Sequence, residues 1–364
     1  MTNAFQNRRH ARRRDLRYAI VRGLGISLVF FGHNATPASL TTSVITSFLM
    51  PMFFLFSGVT FRSAAAQYGG REFAKYLLYT LVFPFFFFAF VSIPFFEISV
   101  LGGECQWPTF GCAIKTLLCG QFFANGSLWF LMSLCICKLL LWLLLRVQAR
   151  VRPRALLWCA VAFVCITLQM KFAYRPWEAN EHTPLSLPSI PSGFLFLSIG
   201  YALAPCYDQL RRIRFRWYES LSIAIVCLYV LVKFALSGHV CYMHAGFVRS
   251  MDVYATTVIG TVMLFMVANV LRTRRLRVLR QALVWFGGNS LILFALEDGV
   301  AGRLAKGCSY VLTGERRGWL ATAIVFALLP LAYKTFAPLY KWLRGRTCPT
   351  SPGRQGRPRT KFLV

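Results

Sequence analysis

Two side chains in one apolar stretch could do chemistry together: Arg22 and His33, in the run Arg-Gly-Leu-Gly-Ile-Ser-Leu-Val-Phe-Phe-Gly-His. An α-helix turns about 100° and rises about 1.5 Å per residue, so eleven steps return to within about 20° of the same face and separate the pair by about 16 Å. A guanidinium matches phosphate oxygens through two parallel hydrogen bonds. An imidazole is the side chain best matched to proton transfer near neutral pH. An imidazole buried in a membrane is costly unless it faces the bundle interior or a wet cavity. The spacing therefore predicts a cation at one end of a helix and a proton acceptor three turns deeper. The other reading is a packed histidine, hydrogen-bonded to a neighbouring helix.

The chain that must position this pair has 364 residues, of which 57% are apolar and 15% charged. Soluble globular chains hold about 45–50% and about 25%. With 34 phenylalanines and a mean hydropathy of +0.54, it has too little polar surface to cover itself in water. Disorder, a coiled coil and a secreted disulfide scaffold are excluded. Ten stretches have the length needed to cross a bilayer: 18–36, 44–61, 76–100, 127–147, 155–171, 190–205, 218–236, 251–271, 282–300 and 319–339. The expected fold is all-α, a polytopic membrane helix bundle of about ten transmembrane helices. A basic tail over 1–17 precedes a membrane domain over 18–340, and a second basic tail follows over 341–364.

The 41 Lys and Arg against 12 Asp and Glu raise nucleic acid as a partner, but their placement argues for topology. With the N-terminus inside, 30 fall on inner segments, 8 on outer loops and 3 within spans. That is a positive-inside pattern with both termini cytoplasmic, and it implies no nucleic acid. The outer loop with Arg303, Lys306, Arg316 and Arg317 fits it least well. The arginines of the first tail, Arg8 to Arg14, could touch anionic lipid, and no small-residue cleavage site follows the first apolar run.

No metal site is expected. Cys135 and Cys137 are two apart on a helix and face different ways, and His182, His239 and His244 belong to outer loops. Cys105, Cys112 and Cys119 share an outer loop, where a disulfide could form. Lys138 falls mid-span, where a lone ammonium needs a partner, functional or structural.

Arg22-x10-His33 resembles the Arg/Lys-x10-His signature of the acyltransferase-3 family of integral membrane O-acyltransferases. Met50-Pro-Met-Phe-Phe-Leu-Phe-Ser57-Gly58 is similar to that family's second helix. Ser127-Leu-Trp129-Phe130-Leu131 resembles its Leu-Trp-Phe-Leu segment, and Phe194 to Tyr201 its apolar run ending in Gly-Tyr. The four blocks stand in the expected order over about 180 residues. Two places depart from the pattern. Thr80 stands where a basic residue is usual and Phe85 where a tyrosine is. The segment from Ser290 ends in Glu297-Asp298 rather than in histidine.

The resemblance implies transfer of an acetyl group from acetyl-coenzyme A, a co-substrate rather than a permanently bound cofactor, to a sugar hydroxyl. Arg22 would pair with the coenzyme phosphates and His33 would act as general base, the two lining one wall of a shared donor tunnel. A covalent acyl-histidine is the other route. Arg62 is a second phosphate contact or a snorkelling anchor. Ser57 could hydrogen-bond the thioester, while Ser57-Gly58 also suits close helix packing. Trp129 and Phe130 are expected at the outer interface, as an aromatic belt or as a sugar-stacking surface. Glu297 or Asp298 either orients the imidazole, as triad acids do, or marks a helix end in water.

The likeness is to the fucose 4-O-acetylase-like and xanthan-type exopolysaccharide acetyltransferases, because no appended hydrolase-like domain is seen. It implies a multi-pass protein of the cell inner (plasma) membrane. Its partners would be membrane lipid and a polysaccharide acceptor, with the mannose of a lipid-linked repeat unit among the candidates. A sugar or metabolite exporter is the rival class. Transporters show internal repeats and broken half-helices in matching positions, and neither is evident in the sequence.

Overall fold

A computed structural model describes residues 16–34, 39–65, 69–103, 106–118, 122–174, 183–210, 213, 215–237, 252–273, 276–316 and 318–347. Its longer elements are helices: α1 (Leu16–Asn34), α2 (Leu40–Thr46), α3 (Leu49–Ala65), α4 (Gly70–Leu101), α5 (Phe110–Leu118), α6 (Trp129–Gln148), α7 (Arg154–Ala173), α8 (Ile190–Leu210), α9 (Trp217–Leu236), α10 (Asp252–Val270), α11 (Arg277–Gly288), α12 (Ser290–Thr313) and α13 (Trp319–Thr347). The backbone explains the choice, because a chain this apolar satisfies its N–H and C=O groups inside each helix where no water reaches. Among the described residues, eight segments are long and apolar enough to cross a membrane, and the bent pair α11–α12 makes nine. α1 is as long, but Arg17, Arg22 and His33 keep it out of that count.

Helices approach one another where side chains are small. A methyl group on Gly23 would lie 2.0 Å from the Leu283 carbonyl oxygen, and one on Gly287 2.0 Å from that of Ala19. α1 and α11 thus touch backbone to backbone. Gly58 and Gly200 do the same for α3 and α8, where an added Cβ would meet the carbonyls of Leu197 and Leu55 at 2.0 and 1.9 Å. In lipid, such close contact replaces the hydrophobic drive that water would supply. The rest of the core is aromatic and aliphatic, with Phe30, Phe48, Phe54, Phe85, Phe88 and Phe196 fully buried.

Cross-contacts fix the directions. Tyr18 donates to the Phe56 carbonyl at 3.3 Å and Gly25 faces Met52, so α3 runs antiparallel to α1. Gly318 N–H donates to the Asn34 carbonyl at 2.7 Å. α13 therefore starts where α1 ends and returns toward the side where α1 begins, which places both ends of the described chain on one side.

Two expected spans change shape. The ninth is not one helix over 282–300: α11 and α12 meet at Asn289 with a bend of 80°. Asn289 closes α11 by donating its N–H to the Trp285 and Phe286 carbonyls, and its side-chain oxygen accepts from Tyr333 at 2.7 Å. α12 then continues to Thr313, so Arg303 and Lys306, expected in an outer loop, are helical. Arg303 is held by Ser99 and by the Ala124 carbonyl at 3.1 Å, and its guanidinium lies 4.9 Å from the centre of the Phe96 ring. The third span begins earlier than 76, at Gly70, and carries a π-helical turn over Leu78–Val82 just before Pro84. The ends beyond 16 and 347, with Arg8 to Arg14, lie outside the described residues.

Replacing Gly200 with leucine should separate α3 from α8. Overpacking of this kind costs about 3 kcal/mol or more against backbone, and the variant should lose its cooperative melting transition in detergent while Ala202→Leu, on an exposed position, keeps it.

Candidate active site

α1 and α12 lie side by side and run the same way, and they touch through polar side chains at two levels. At the first, the Arg22 guanidinium donates to the Ser290 hydroxyl at 2.5 Å and lies 5.9 Å from the Tyr18 ring centre. At the second, His33 Nδ1 meets Glu297 Oε2 at 2.6 Å. Arg22 and His33 are eleven residues apart and Ser290 and Glu297 seven. At about 1.5 Å per residue the first interval exceeds the second by about 6 Å, a gap that the long arginine side chain spans. Both side chains thus face the same neighbouring segment, as their spacing on one helix face required.

The bend at Asn289 and a π turn over Glu297–Ala301 bracket this segment. A π turn inserts one residue into the helix and redirects the side chains that follow, a feature that recurs at functional sites. Here it sends neighbouring carboxylates to different partners. Glu297 is 1% exposed and accepts from His33 and from Asn34 Nδ2 at 3.1 Å. Asp298 accepts from the Ser127 backbone N–H at 3.0 Å. Asn125 ties the preceding turn to the same helix, donating to the Ala295 carbonyl at 2.8 Å and to Ser92 at 3.0 Å. His33 lies in the last turn of α1 with its side chain 34% exposed. Because Glu297 engages Nδ1, Nε2 is the ring nitrogen left to take a proton.

A cavity of about 70 Å³ opens between α1, α3, α6 and α12. Arg22, Ser57, Thr60 and Ser290 give it polar groups, and Phe53, Phe130, Leu134 and Phe294 are among its apolar walls. The cavity thus brings together Arg22, Ser57 and Phe130, three of the side chains singled out from the sequence. It does not reach His33. Its walls end on that side at Ile26 and Phe294, and the Phe130 and Phe294 rings meet edge to face at 5.7 Å. In place of the single tunnel lined by Arg22 and His33, the cavity at Arg22 does not have His33 among its lining residues, and Glu297 stands three residues past Phe294 on α12.

Trp129 is corrected as well. It is 7% exposed and packs in the core, in one apolar cluster with Phe54, Phe194 and Leu197 from α3 and α8, rather than in an interfacial belt. Phe130 faces the cavity, with Phe54 at 5.0 Å. Gly58 serves packing against α8, while its neighbour Ser57 lines the cavity. Cys112 is an exposed free thiol, and Cys105, Cys119, His182, His239 and His244 lie outside the described residues, as does the side chain of Arg62. Sequence reasoning missed Asn34, Asn125, Ser127 and the role of Ser290. Asn34 had a signal, a buried amide directly after the key histidine at a helix end. Asn125 and Ser127 belong to a short turn with no periodic pattern, and Ser290 opens α12 directly after the break.

The fold and this site define a multi-pass membrane protein with an ionisable pair held between two helices. A family profile described as an acyltransferase domain matches residues 17–297. The chain belongs to that family, the acyltransferase-3 family, and is a membrane acyltransferase. The matched region contains Arg22, His33 and, at its last position, Glu297. No curated protein and no solved structure matches the chain.

Replacing Glu297 with alanine removes the partner of His33 Nδ1 and leaves Asn34 Nδ2 with one acceptor fewer. Acyl transfer should fall by about 10² or more, the scale of a positioned acid or base, while the protein still reaches the membrane; activity within a factor of about three would deny the pair a role.

Proposed function

We propose that this acyltransferase moves an acetyl group from acetyl-coenzyme A to a sugar hydroxyl of a surface or exopolysaccharide, with the mannose of a lipid-linked repeat unit as one candidate, in the inner membrane. The observation that carries the reading is the His33–Glu297 contact at 2.6 Å, with Glu297 buried and His33 part exposed. A buried carboxylate that accepts from Nδ1 fixes the tautomer in which Nε2 is free to act as a base. The acceptor hydroxyl gives its proton to Nε2 while its oxygen attacks the thioester carbonyl. Collapse of the tetrahedral intermediate expels the coenzyme thiolate, which takes the proton back from the imidazolium. The products are the sugar ester and the free thiol, and no further reactant is needed.

Arg22 serves the donor. Its guanidinium opens on the cavity, and with the first tail on the cytoplasmic side it faces the compartment that holds coenzyme A. Ser57 and Phe130, on the same cavity walls, are assigned to the donor's pantetheine arm, and Arg62, next to the inner end of α3, to its phosphates. The acceptor is assigned to the opposite end, where His33, Asn34 and Asp298 gather.

Membranes holding the protein should transfer radiolabelled acetyl from coenzyme A to glycolipid. His33→Ala should abolish transfer with the protein still in the membrane, and near-normal acetylation would remove His33 from the mechanism. Arg22→Ala should raise the KM for the donor by roughly tenfold, as loss of a charged hydrogen bond does, with a smaller effect on that for the acceptor. Sugar transport without acetylation would point to the rival class.

A further inference from the structure

Lys138 is 3% exposed in the middle of α6. Its ammonium donates to the Tyr76 hydroxyl at 3.2 Å and sits 5.5 Å from the centre of that ring. No carboxylate pairs with it among the described residues, where the ion pair shown is His33–Glu297. A buried ammonium without a counter-charge is among the most unfavourable placements in a membrane protein. Tyr76 satisfies one of its three N–H groups and neutralises none of its charge.

Lys138 is not itself among the residues that line the cavity, but it stands one helical turn past one that does. Leu131, Leu134 and Lys138 recur at three- and four-residue steps and so share one face of α6, and the first two line the cavity. The ring contacts set the depth. Phe130 meets Phe54 of α3 at 5.0 Å, while Trp142 stacks at 5.1 Å on Phe73, which itself meets Phe61 of α3 at 5.8 Å. Lys138 lies between Phe130 and Trp142, so it falls at the level of the α3 segment between Phe54 and Phe61, whose Ser57 and Thr60 line the cavity with Arg22. No aspartate or glutamate is among the lining residues.

We propose that Lys138 is a second cationic contact of the donor site, so that a donor with more than one phosphate is held by Arg22 on the cavity wall and by Lys138 one helical turn beyond Leu134, with Tyr76 positioning the ammonium. This deepens the donor reading above and rests on it. It defines the donor class as a polyanionic thioester rather than a thioester on an uncharged arm.

Binding to the purified full-length protein in detergent tests this, with coenzyme A, inorganic diphosphate and pantetheine as separate titrants. Lys138→Met should weaken coenzyme A and diphosphate by about tenfold or more, leave pantetheine unchanged, and hold or raise the unliganded melting temperature, because it removes an uncompensated buried charge. Lys138→Arg should restore most of the diphosphate affinity. Equal diphosphate affinity in wild type and Lys138→Met would overturn the proposal. So would a methionine variant that fails to fold or loses all three titrants together, the mark of a structural lysine. Wild type that binds diphosphate through Lys138 but not coenzyme A would support the cation pair and sink the coenzyme reading. Wild type that binds neither would sink both.

Discussion

A carboxylate that is 1% exposed inside an apolar bundle cannot stand without partners, and the arrangement of Glu297 governs much of what surrounds it. Burial of an unpaired ionised group is far more unfavourable than any single packing contact is favourable. The segment that carries Glu297 must therefore lie where donors reach it, and α1 supplies both of them, His33 and Asn34, from its last turn. The Arg22–Ser290 contact fixes the other end of the same segment. Three polar contacts at two levels thus set both the distance and the direction of α12 relative to α1, in a medium where apolar surfaces alone would let helices slide. The same contacts leave His33 Nε2 as the free nitrogen, so the stability of the bundle and the chemistry of the site have one origin.

Local backbone irregularities make these contacts possible. The break at Asn289 lets α12 start afresh with Ser290 facing Arg22. The π turn at Glu297–Ala301 lets two adjacent acids reach α1 and the turn before α6. A straight helix over this stretch would place only one of them inward at a time. Close glycine contacts between α1 and α11 hold the helix before the break against the helix that bears the histidine, so the break is supported on its own flank.

These features divide what the sequence discloses from what it hides. Span positions were legible because twenty apolar residues in a row leave little choice of structure. The shared face of Arg22 and His33 was legible because helical periodicity over three turns is nearly independent of context. The destination of Glu297 was not, since a carboxylate at the end of an apolar run reads equally as a helix end in water. Only the fold shows that α12 runs on to Thr313 and buries it. Trp129 was misplaced for a related reason. An aromatic at a span boundary resembles a belt residue, and nothing local reveals the apolar cluster with α3 and α8 that it joins. Lys138 announced itself by charge alone, but its neighbour Tyr76 comes from a helix 62 residues away in sequence.

The Phe130–Phe294 ring pair on the cavity wall bears on how transfer would proceed. Under the function proposed above, a donor seated at Arg22 would meet Phe130 and Phe294, which line the cavity, on its way to the imidazole. An edge-to-face aromatic contact contributes about 0.5–1.5 kcal/mol beyond its burial, well below what one charge-assisted phosphate contact together with the buried arm supplies. On that reading, donor binding would displace the rings, and the site would close again when the donor leaves. Closure at rest would then keep the arginine end and the histidine end apart while no donor is bound.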